Sequence, residues 1–357
     1  MKIMHVIDGL GRGGAETLLI NTILLLPNDE HIVICLSAQY DFDVEHKKLF
    51  THYVFSLKNK LHIPFIIFSV QKLIKKYKPD IVHAHLIMSG LIAKLATPKN
   101  IPLFYSIHSN YSFSYFKRSW FIKSLENFTA KPYHHLIGVT GVVLDDYRKN
   151  ISNAGSGDVL YNFVAQHFFN INCPSTYKPG SPLRCIAVGN LRHEKNYEYI
   201  LAQFKLIKKY PIQLDIYGEG IYKERLTTYK TDNDLVHVEL KGKADNISEL
   251  MPAYDLFICC SISEGFGIAP LEAMAAKLPV VISSIPVFKE IIGNCGFVVK
   301  LESDKSDESL SAILENIYHG NLNLQSKVEE AFTRATQIAS QQNYISQLKN
   351  IYQKYNR

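Results

Sequence analysis

The chain has 357 residues, enough for two domains that each bury a core of their own. Hydrophobic residues at 47% and charged residues at 20% exclude a disordered or fibrous chain, and no run reaches the ~18 apolar residues of a membrane span. The net charge of +6 suits anionic lipid or phosphorylated substrates without naming one, and six cysteines without CxxC spacing predict neither a disulfide framework nor a zinc site.

Apolar, β-rich runs alternate with helical patterns along the whole chain. A first series occupies residues 2–7, 31–36, 81–84, 103–106 and 136–139; a second occupies 183–188, 213–217, 236–240, 256–260, 280–283 and 296–299. Continuous apolar strands separated by helices predict parallel sheets covered on both faces, so the two series predict two doubly wound α/β domains. Residues 170–182 hold three prolines and a glycine, which predicts a linker between domains at 1–169 and 183–336. Residues 337–357 read as a last helix. The apolar start at residues 2–7 is too short for a signal-peptide core, so a cytoplasmic location is expected.

Taken in chain order, the first motif is Gly9-Leu-Gly-Arg-Gly-Gly-Ala-Glu16, which follows the first strand and matches GxGxxG. The acidic residue a dinucleotide fold needs after its second strand is missing, since 31–36 runs into Ser37-Ala-Gln39, so the match alone is weak. Asp41-Phe-Asp43 and Asp232-Asn-Asp234 look like DxD metal pairs but do not follow a strand end. His83 and His85 alternate on one strand; with no third ligand spaced to join them, they read as packing or acceptor-side residues rather than a metal pair. Residues 110–131 carry seven aromatics with Lys117, Arg118, Lys123 and Lys131 against Glu126. Phe116, Trp120, Phe121, Ser124, Leu125 and Phe128 form a stripe at helical spacing, for which headgroup-level membrane contact and core packing are both open.

In the second series, Gly189-Asn-Leu-Arg-His-Glu-Lys-Asn196 follows a strand, and Arg192 and Lys195 on that loop can reach a diphosphate. The richest segment is residues 263–282. A buried strand at 256–260 runs into Gly265 and Gly267, then into a helix with Pro270 near its start. A helix start offers unpaired N–H groups and a positive dipole end to a phosphate. Glu264 precedes the turn and Glu272 lies about one helical turn inside, so both carboxylates can face a ligand with hydroxyls beside its phosphate.

Glu264 and Glu272, separated by seven residues ahead of a small-residue helix and Leu278-Pro-Val-Val281, resemble the signature of the retaining glycosyltransferases of family 4. The resemblance implies the GT-B fold, two Rossmann-like domains facing across a cleft, with the last helix crossing back to the first domain. It implies a nucleotide-sugar donor held by Gly13, Gly14, Gly189, Arg192, Lys195, Gly242, Ile247, Glu264, Gly265, Phe266, Gly267, Ile268 and Glu272, with His108 and Glu264 at the reaction centre. The chain departs from the pattern at Asn190, where the family has Arg and Arg192 is taken as its replacement, and at Phe163, which follows Asn162 where the family has Gly. The implied activity is transfer of a hexose-type sugar, from a uridine rather than a guanosine diphosphate donor, to a glycan or lipid-linked acceptor in surface polysaccharide synthesis. No metal or other cofactor is implied, because helix dipoles with Arg192 and Lys195 can neutralise the leaving diphosphate. A nucleotide-sugar epimerase on the same fold and a noncatalytic nucleotide-sugar-binding partner stay open. Nucleic acid is not an expected partner.

Overall fold

The computed structural model describes residues 1–11, 13–57, 59–113, 120–171, 173, 177–244, 246–301 and 307–355. By contact the chain divides into one unit of Met1–Asn162 with Tyr344–Arg357 and a second of Phe163–Asn343. Residues of the 163–182 stretch therefore go with the second unit, where Cys173 N donates to Ala276 O and Gly180 N to Tyr318 O.

The first unit is built on a seven-stranded parallel sheet of β1 (Lys2–Ile7), β2 (Glu30–Cys35), β3 (Thr51–Val54), β4 (Ile81–His85), β5 (Leu103–Ile107), β6 (His134–Gly138) and β7 (Ser156–Val159), in the order β3-β2-β1-β4-β5-β6-β7. The second has six parallel strands, β8 (Leu183–Val188), β9 (Ile212–Tyr217), β10 (Val238–Gly242), β11 (Leu256–Cys259), β12 (Val280–Ser283) and β13 (Phe297–Val299), ordered β10-β9-β8-β11-β12-β13. Central strands such as β4 and β5 are buried at every residue, which is why their sequences are continuously apolar or histidine-bearing. The two strands absent from the sequence reading, β3 and β7, lie at the sheet edges; with one side open to solvent they need no apolar run and show none.

Each sheet reverses its strand order once, between β1 and β4 in the first unit and between β8 and β11 in the second. Loops leaving the carboxyl ends of strands at such a reversal diverge to opposite faces and leave a crevice, the usual ligand position in open α/β sheets. The loops after β1, β4 and β5 carry Asp8, Leu86 and His108; those after β8 and β11 carry Lys195 and Glu264.

Two expected helices differ from the structure. The pattern at 337–355 is two helices, Val328–Ala339 and Gln341–Tyr355, broken where Ser340 takes an extended conformation (φ −74°, ψ 144°). The second of them packs in the first unit, where its Tyr352 hydroxyl bonds His83 Nδ1 at 2.7 Å and its Tyr344 hydroxyl meets Thr22 Oγ1 at 3.1 Å. Within 110–131 the described helix is Trp120–Thr129, preceded by a short 3-10 turn at Tyr111–Phe113; Phe116, Lys117 and Arg118 lie outside the described residues. That helix buries its acid and exposes its aromatics. Glu126 is 1% exposed and pairs with Lys94 on helix Ile87–Ala96 and with Tyr147 at 2.9 Å, whereas Trp120, Phe121 and Phe128 are 78%, 55% and 74% exposed. Core packing therefore does not account for those three rings. Burial pulls Lys94 down, and the Glu126 carboxylate offsets this only in part.

Candidate active site

The second unit assembles most of the expected donor-side residues at the β8/β11 reversal. The loop after β8 is stitched to the loop after β11 by two bonds: Ile262 N donates to Glu194 O at 2.9 Å, and Asn196 Nδ2 donates to Cys260 O at 3.2 Å. Asn196 takes the left-handed conformation (φ 56°) that Asn tolerates better than most residues, and this turns the chain from a 3-10 turn at His193–Lys195 into helix Tyr197–Leu206. The consequence is a contact between residues far apart in sequence. Lys195 Nζ lies 2.7 Å from Glu264 Oε1, and Ser261 Oγ donates to the same oxygen at 2.7 Å. Ser261 is itself positioned by the buried Ser283 hydroxyl, which donates to its carbonyl.

Lys195 is the cation that both glutamates feel. Burial pulls its pKa down, but the Glu264 carboxylate together with Cys259 and Tyr197 outweighs that and the net shift is upward. Glu272, the fifth residue of helix Ile268–Ala275, is driven the other way: burial pushes its carboxyl up to about 7 against the opposing pull of Lys195. The two glutamates thus differ in kind, one ion-paired and one poised near neutrality. Gly267 caps the helix at φ 81°, and a Cβ there would come within 2.5 Å of Phe288 Cε1, so the turn between the glutamates accepts only glycine. Phe266 is buried, and Gly265 and Ile268 are part-exposed.

The remaining second-unit residues line the same strand ends. The Tyr197 hydroxyl donates to Gly189 O at 3.2 Å, and a Cβ on Gly218 would meet that same carbonyl at 2.0 Å, so the loops after β8 and β9 touch backbone to backbone. Gly218 N donates to Gly242 O at the end of β10, and Ile247 opens helix Ile247–Leu250. Arg192 is exposed with no ion pair among the described residues. Sequence reasoning missed Ser261, Ser283 and Tyr197, whose roles come from contacts across strands and carry no local motif.

In the first unit, Gly13 caps helix Gly14–Leu25 in an extended conformation, and Gly14 is exposed with open space where a Cβ would point. His108, just past β5, lines a cavity of about 160 Å³ together with Asp8, Leu86, Tyr105, Tyr111 and Tyr147. Burial pushes its imidazole down to about 4, so it is neutral at physiological pH. Asp8, which the sequence reading passed over, ends β1 and accepts bonds from both the backbone N–H and the hydroxyl of Ser89; burial raises its pKa. Leu86 holds φ 72° and ψ 166°, a conformation that costs a non-glycine residue roughly 1–3 kcal/mol and is kept where surrounding structure imposes it. Asn162 carries a buried Oδ1 with no partner among the described residues. The Asp pairs serve local structure: Asp43 caps a 3-10 helix by accepting from Glu45 N, Asp41 accepts from Gln39, and Asp232 ends helix Lys223–Asp232. All six cysteines are free, and no helix among the described residues is long and apolar enough to cross a membrane.

Comparison with known proteins identifies the family. A family model described as Glycosyltransferase Family 4 matches residues 12–166, and one described as Glycosyl transferases group 1 matches residues 173–335. The capsular polysaccharide biosynthesis glycosyltransferase CapH of Staphylococcus aureus is 23% identical over 82% of this chain and 83% of its own length. The O-antigen chain mannosyltransferase RfbU of Salmonella typhimurium is 28% identical over 58% of each chain. Among solved structures, Anabaena HepE in complex with UDP superposes with a TM-score of 0.82 over 99% of this chain and 100% of its own, at 18% identity.

The upward shift of Glu272 has a sign that can be tested. Between about 4.5 and about 7 the folded chain keeps a proton that the unfolded chain has released, so this group's contribution to stability falls as pH rises through that window. Glu272→Gln should therefore melt higher than wild type at pH 8, by about 2–4 °C per kcal/mol of ionisation cost removed, and with wild type at pH 4. Differential scanning fluorimetry at both pH values reads this; equal melting at pH 8 contradicts it.

Proposed function

We propose, for a chain that belongs to the family 4 glycosyltransferases and carries their GT-B fold, transfer of a hexose-type sugar with retention of configuration from a nucleotide diphosphate donor to a glycan or lipid-linked acceptor in surface polysaccharide synthesis. The observation that carries the reading is the cluster of Lys195, Glu264 and Glu272 around the glycine-capped helix start. A cation, the positive end of a helix and a near-neutral carboxyl suit a diphosphate with ribose hydroxyls beside it. UDP is the favoured donor nucleotide, in keeping with UDP in the HepE complex. The names of CapH and RfbU support a capsular or O-antigen type of product.

In this reading the diphosphate takes the Lys195 ammonium from Glu264 and is further neutralised by Arg192 and the helix start, without a divalent metal. The bond from the anomeric carbon to the diphosphate oxygen breaks, and a bond to the acceptor oxygen forms on the same face. The acceptor's proton passes to the departing phosphate oxygen. Glu264, released from Lys195, faces the sugar where positive charge develops. Glu272 binds the ribose hydroxyls in ground state and transition state alike.

The two glutamates should then fail differently. Above about pH 7, where the Glu272 carboxyl is ionised, hydrogen bonds to this charged group contribute about 1.5–3 kcal/mol, so Glu272→Ala should there weaken donor binding by roughly 10- to 150-fold with a smaller loss in kcat. Glu264→Gln should lower kcat more than it raises the donor KM. Steady-state kinetics in excess EDTA, with nucleotide affinity measured by calorimetry, separate the outcomes. Full kcat in Glu264→Gln, or unchanged nucleotide affinity in Glu272→Ala, removes the assignment. Loss of wild-type turnover in EDTA that Mg²⁺ or Mn²⁺ restores removes the metal-free reading.

The exposed aromatic face of helix Trp120–Thr129, with exposed Lys123 beside it, supports peripheral contact with an anionic membrane or a lipid-linked acceptor. Replacing Trp120 and Phe128 together by Ser and Lys123 by Glu should reduce cosedimentation with vesicles rich in phosphatidylglycerol, since each basic residue near such a surface contributes about 1 kcal/mol. Unchanged cosedimentation of a variant that melts like wild type contradicts this contact.

A further inference from the structure

One face of the first unit's sheet carries a line of imidazoles that the transfer chemistry does not by itself require. His5 on β1, His31 on β2, and His83 and His85 on β4 are 1%, 3%, 3% and 5% exposed. In the parallel register His5 sits opposite His83, Ile3 opposite His31 and Ile7 opposite His85, so the alternation of two puts these side chains on a common face. The rings touch: centroids lie 5.4 Å apart for His5 and His31, 5.7 Å for His5 and His85, and 5.6 Å for His85 and His108.

Nitrogen-to-nitrogen contacts connect them into one chain. His108 Nε2 meets His85 Nδ1 at 3.3 Å, His85 Nε2 meets His5 Nδ1 at 3.5 Å, and His5 Nε2 meets His31 Nδ1 at 3.2 Å. His31 Nε2 then lies 3.1 Å from the carbonyl oxygen of Leu26. A carbonyl can only accept, so the neutral His31 must carry its proton on Nε2 and present a lone pair on Nδ1. The same choice then propagates link by link. His5 donates through Nε2 to His31, His85 donates through Nε2 to His5, and His108 donates through Nε2 to His85. Burial lowers every member from the ordinary histidine range, so each has one proton to place. Aligned bonds of this kind polarise one another, which strengthens the common direction.

We infer that this buried histidine chain, anchored at the Leu26 carbonyl, fixes His108 as the Nε2–H tautomer and leaves its Nδ1 lone pair as a hydrogen-bond acceptor on the cavity side. His5, His31 and His85 are positioning residues in this account; none of them touches substrate. Its consequence for transfer rests on the reading of His108 as a reaction-centre residue, whereas the tautomer itself does not. An acceptor nitrogen at that place accepts a hydrogen bond from a sugar hydroxyl and cannot donate one to an anion.

The same residues could be taken for a metal site, because ligand atoms of His5, His83 and His85 lie within 4.8 Å of one another. The bonds already made argue against it. His5 and His85 use both nitrogens in the chain, and His83 uses both on the Tyr352 hydroxyl and Ser106 Oγ, each at 2.7 Å. A metal would have to break the relay to find lone pairs.

The experiment is a long-range proton–nitrogen correlation spectrum of the full-length protein labelled with ¹⁵N-histidine, which separates the two tautomers by their nitrogen shifts. His31, His5, His85 and His108 should all report Nε2–H. His5→Phe breaks the chain and should let His108 populate Nδ1–H, while His5→Gln, whose amide donates to His31 and whose carbonyl accepts from His85, should keep the wild-type tautomer. Turnover should follow, with kcat at least about tenfold lower in His5→Phe and near wild type in His5→Gln, by analogy with the large effect of a wrong histidine tautomer. A wild-type His108 in the Nδ1–H form overturns the inference without any variant, as does stoichiometric bound metal found by elemental analysis. Unchanged His108 tautomer in a folded His5→Phe overturns it too. If the tautomers are as stated and His108→Ala keeps full activity, the chain stands and the reaction-centre reading of His108 falls.

Discussion

The pairing of Lys195 with Glu264 is the interaction on which the proposed chemistry of the second unit depends. At 2.7 Å and only part-exposed, it holds a charged lysine beside a helix start where a free ammonium and a free carboxylate would each lose solvation. Nothing local in the chain produces it. It exists because β8 and β11 are neighbours, because Asn196 turns in the left-handed region, and because Ser261 supplies the carboxylate's second hydrogen bond. In the proposed function such a pair is a latch as well as a contact: an arriving diphosphate would offer the ammonium a better partner and leave the carboxylate available for charge that develops at the sugar.

The same geometric rule produces the candidate residues of both units. Each parallel sheet reverses once, and the loops at or next to that reversal hold the candidate residues: Asp8, Leu86 and, one strand further, His108 in the first unit, Lys195, Glu264 and the Gly267 turn in the second. The sheets supply rigid strand ends, and the loops supply chemistry. What differs is how each unit tunes its groups. The second pairs a lysine with one carboxylate and raises a second carboxyl by burial, whereas the first sets its histidine against the neutral His85 imidazole and beside the strained Leu86.

Much of the fold was legible in the sequence because a strand buried on both faces must be apolar throughout, and that pattern marked eleven of the strands that form the two sheets. The edge strands β3 and β7 escaped because half-exposed pairing imposes no such pattern. Glu264, Gly267 and Glu272 were legible because a strand, a glycine turn and a helix put them within one short segment. The contact of Glu264 with Lys195, 69 residues away, was not, and neither were Ser261 and Tyr197, which act across strands. The histidine chain was half visible: His83 and His85 stood out by their alternation, but His5 and His31 join them only through strand register, which single-sequence patterns do not encode. The helix at Trp120–Thr129 shows the reverse case, where its lone acid is the buried residue because Lys94 waits for it on another helix.

The account's central claim is that the Lys195 and Glu264 cluster is a nucleoside diphosphate site. Titration calorimetry of UDP and of uridine against wild type and Lys195→Ala tests it most directly. The account predicts that UDP affinity falls by at least about tenfold, the loss of one charge-assisted hydrogen bond, while any uridine binding is unaffected. Equal UDP affinity in a Lys195→Ala protein that melts like wild type would contradict it.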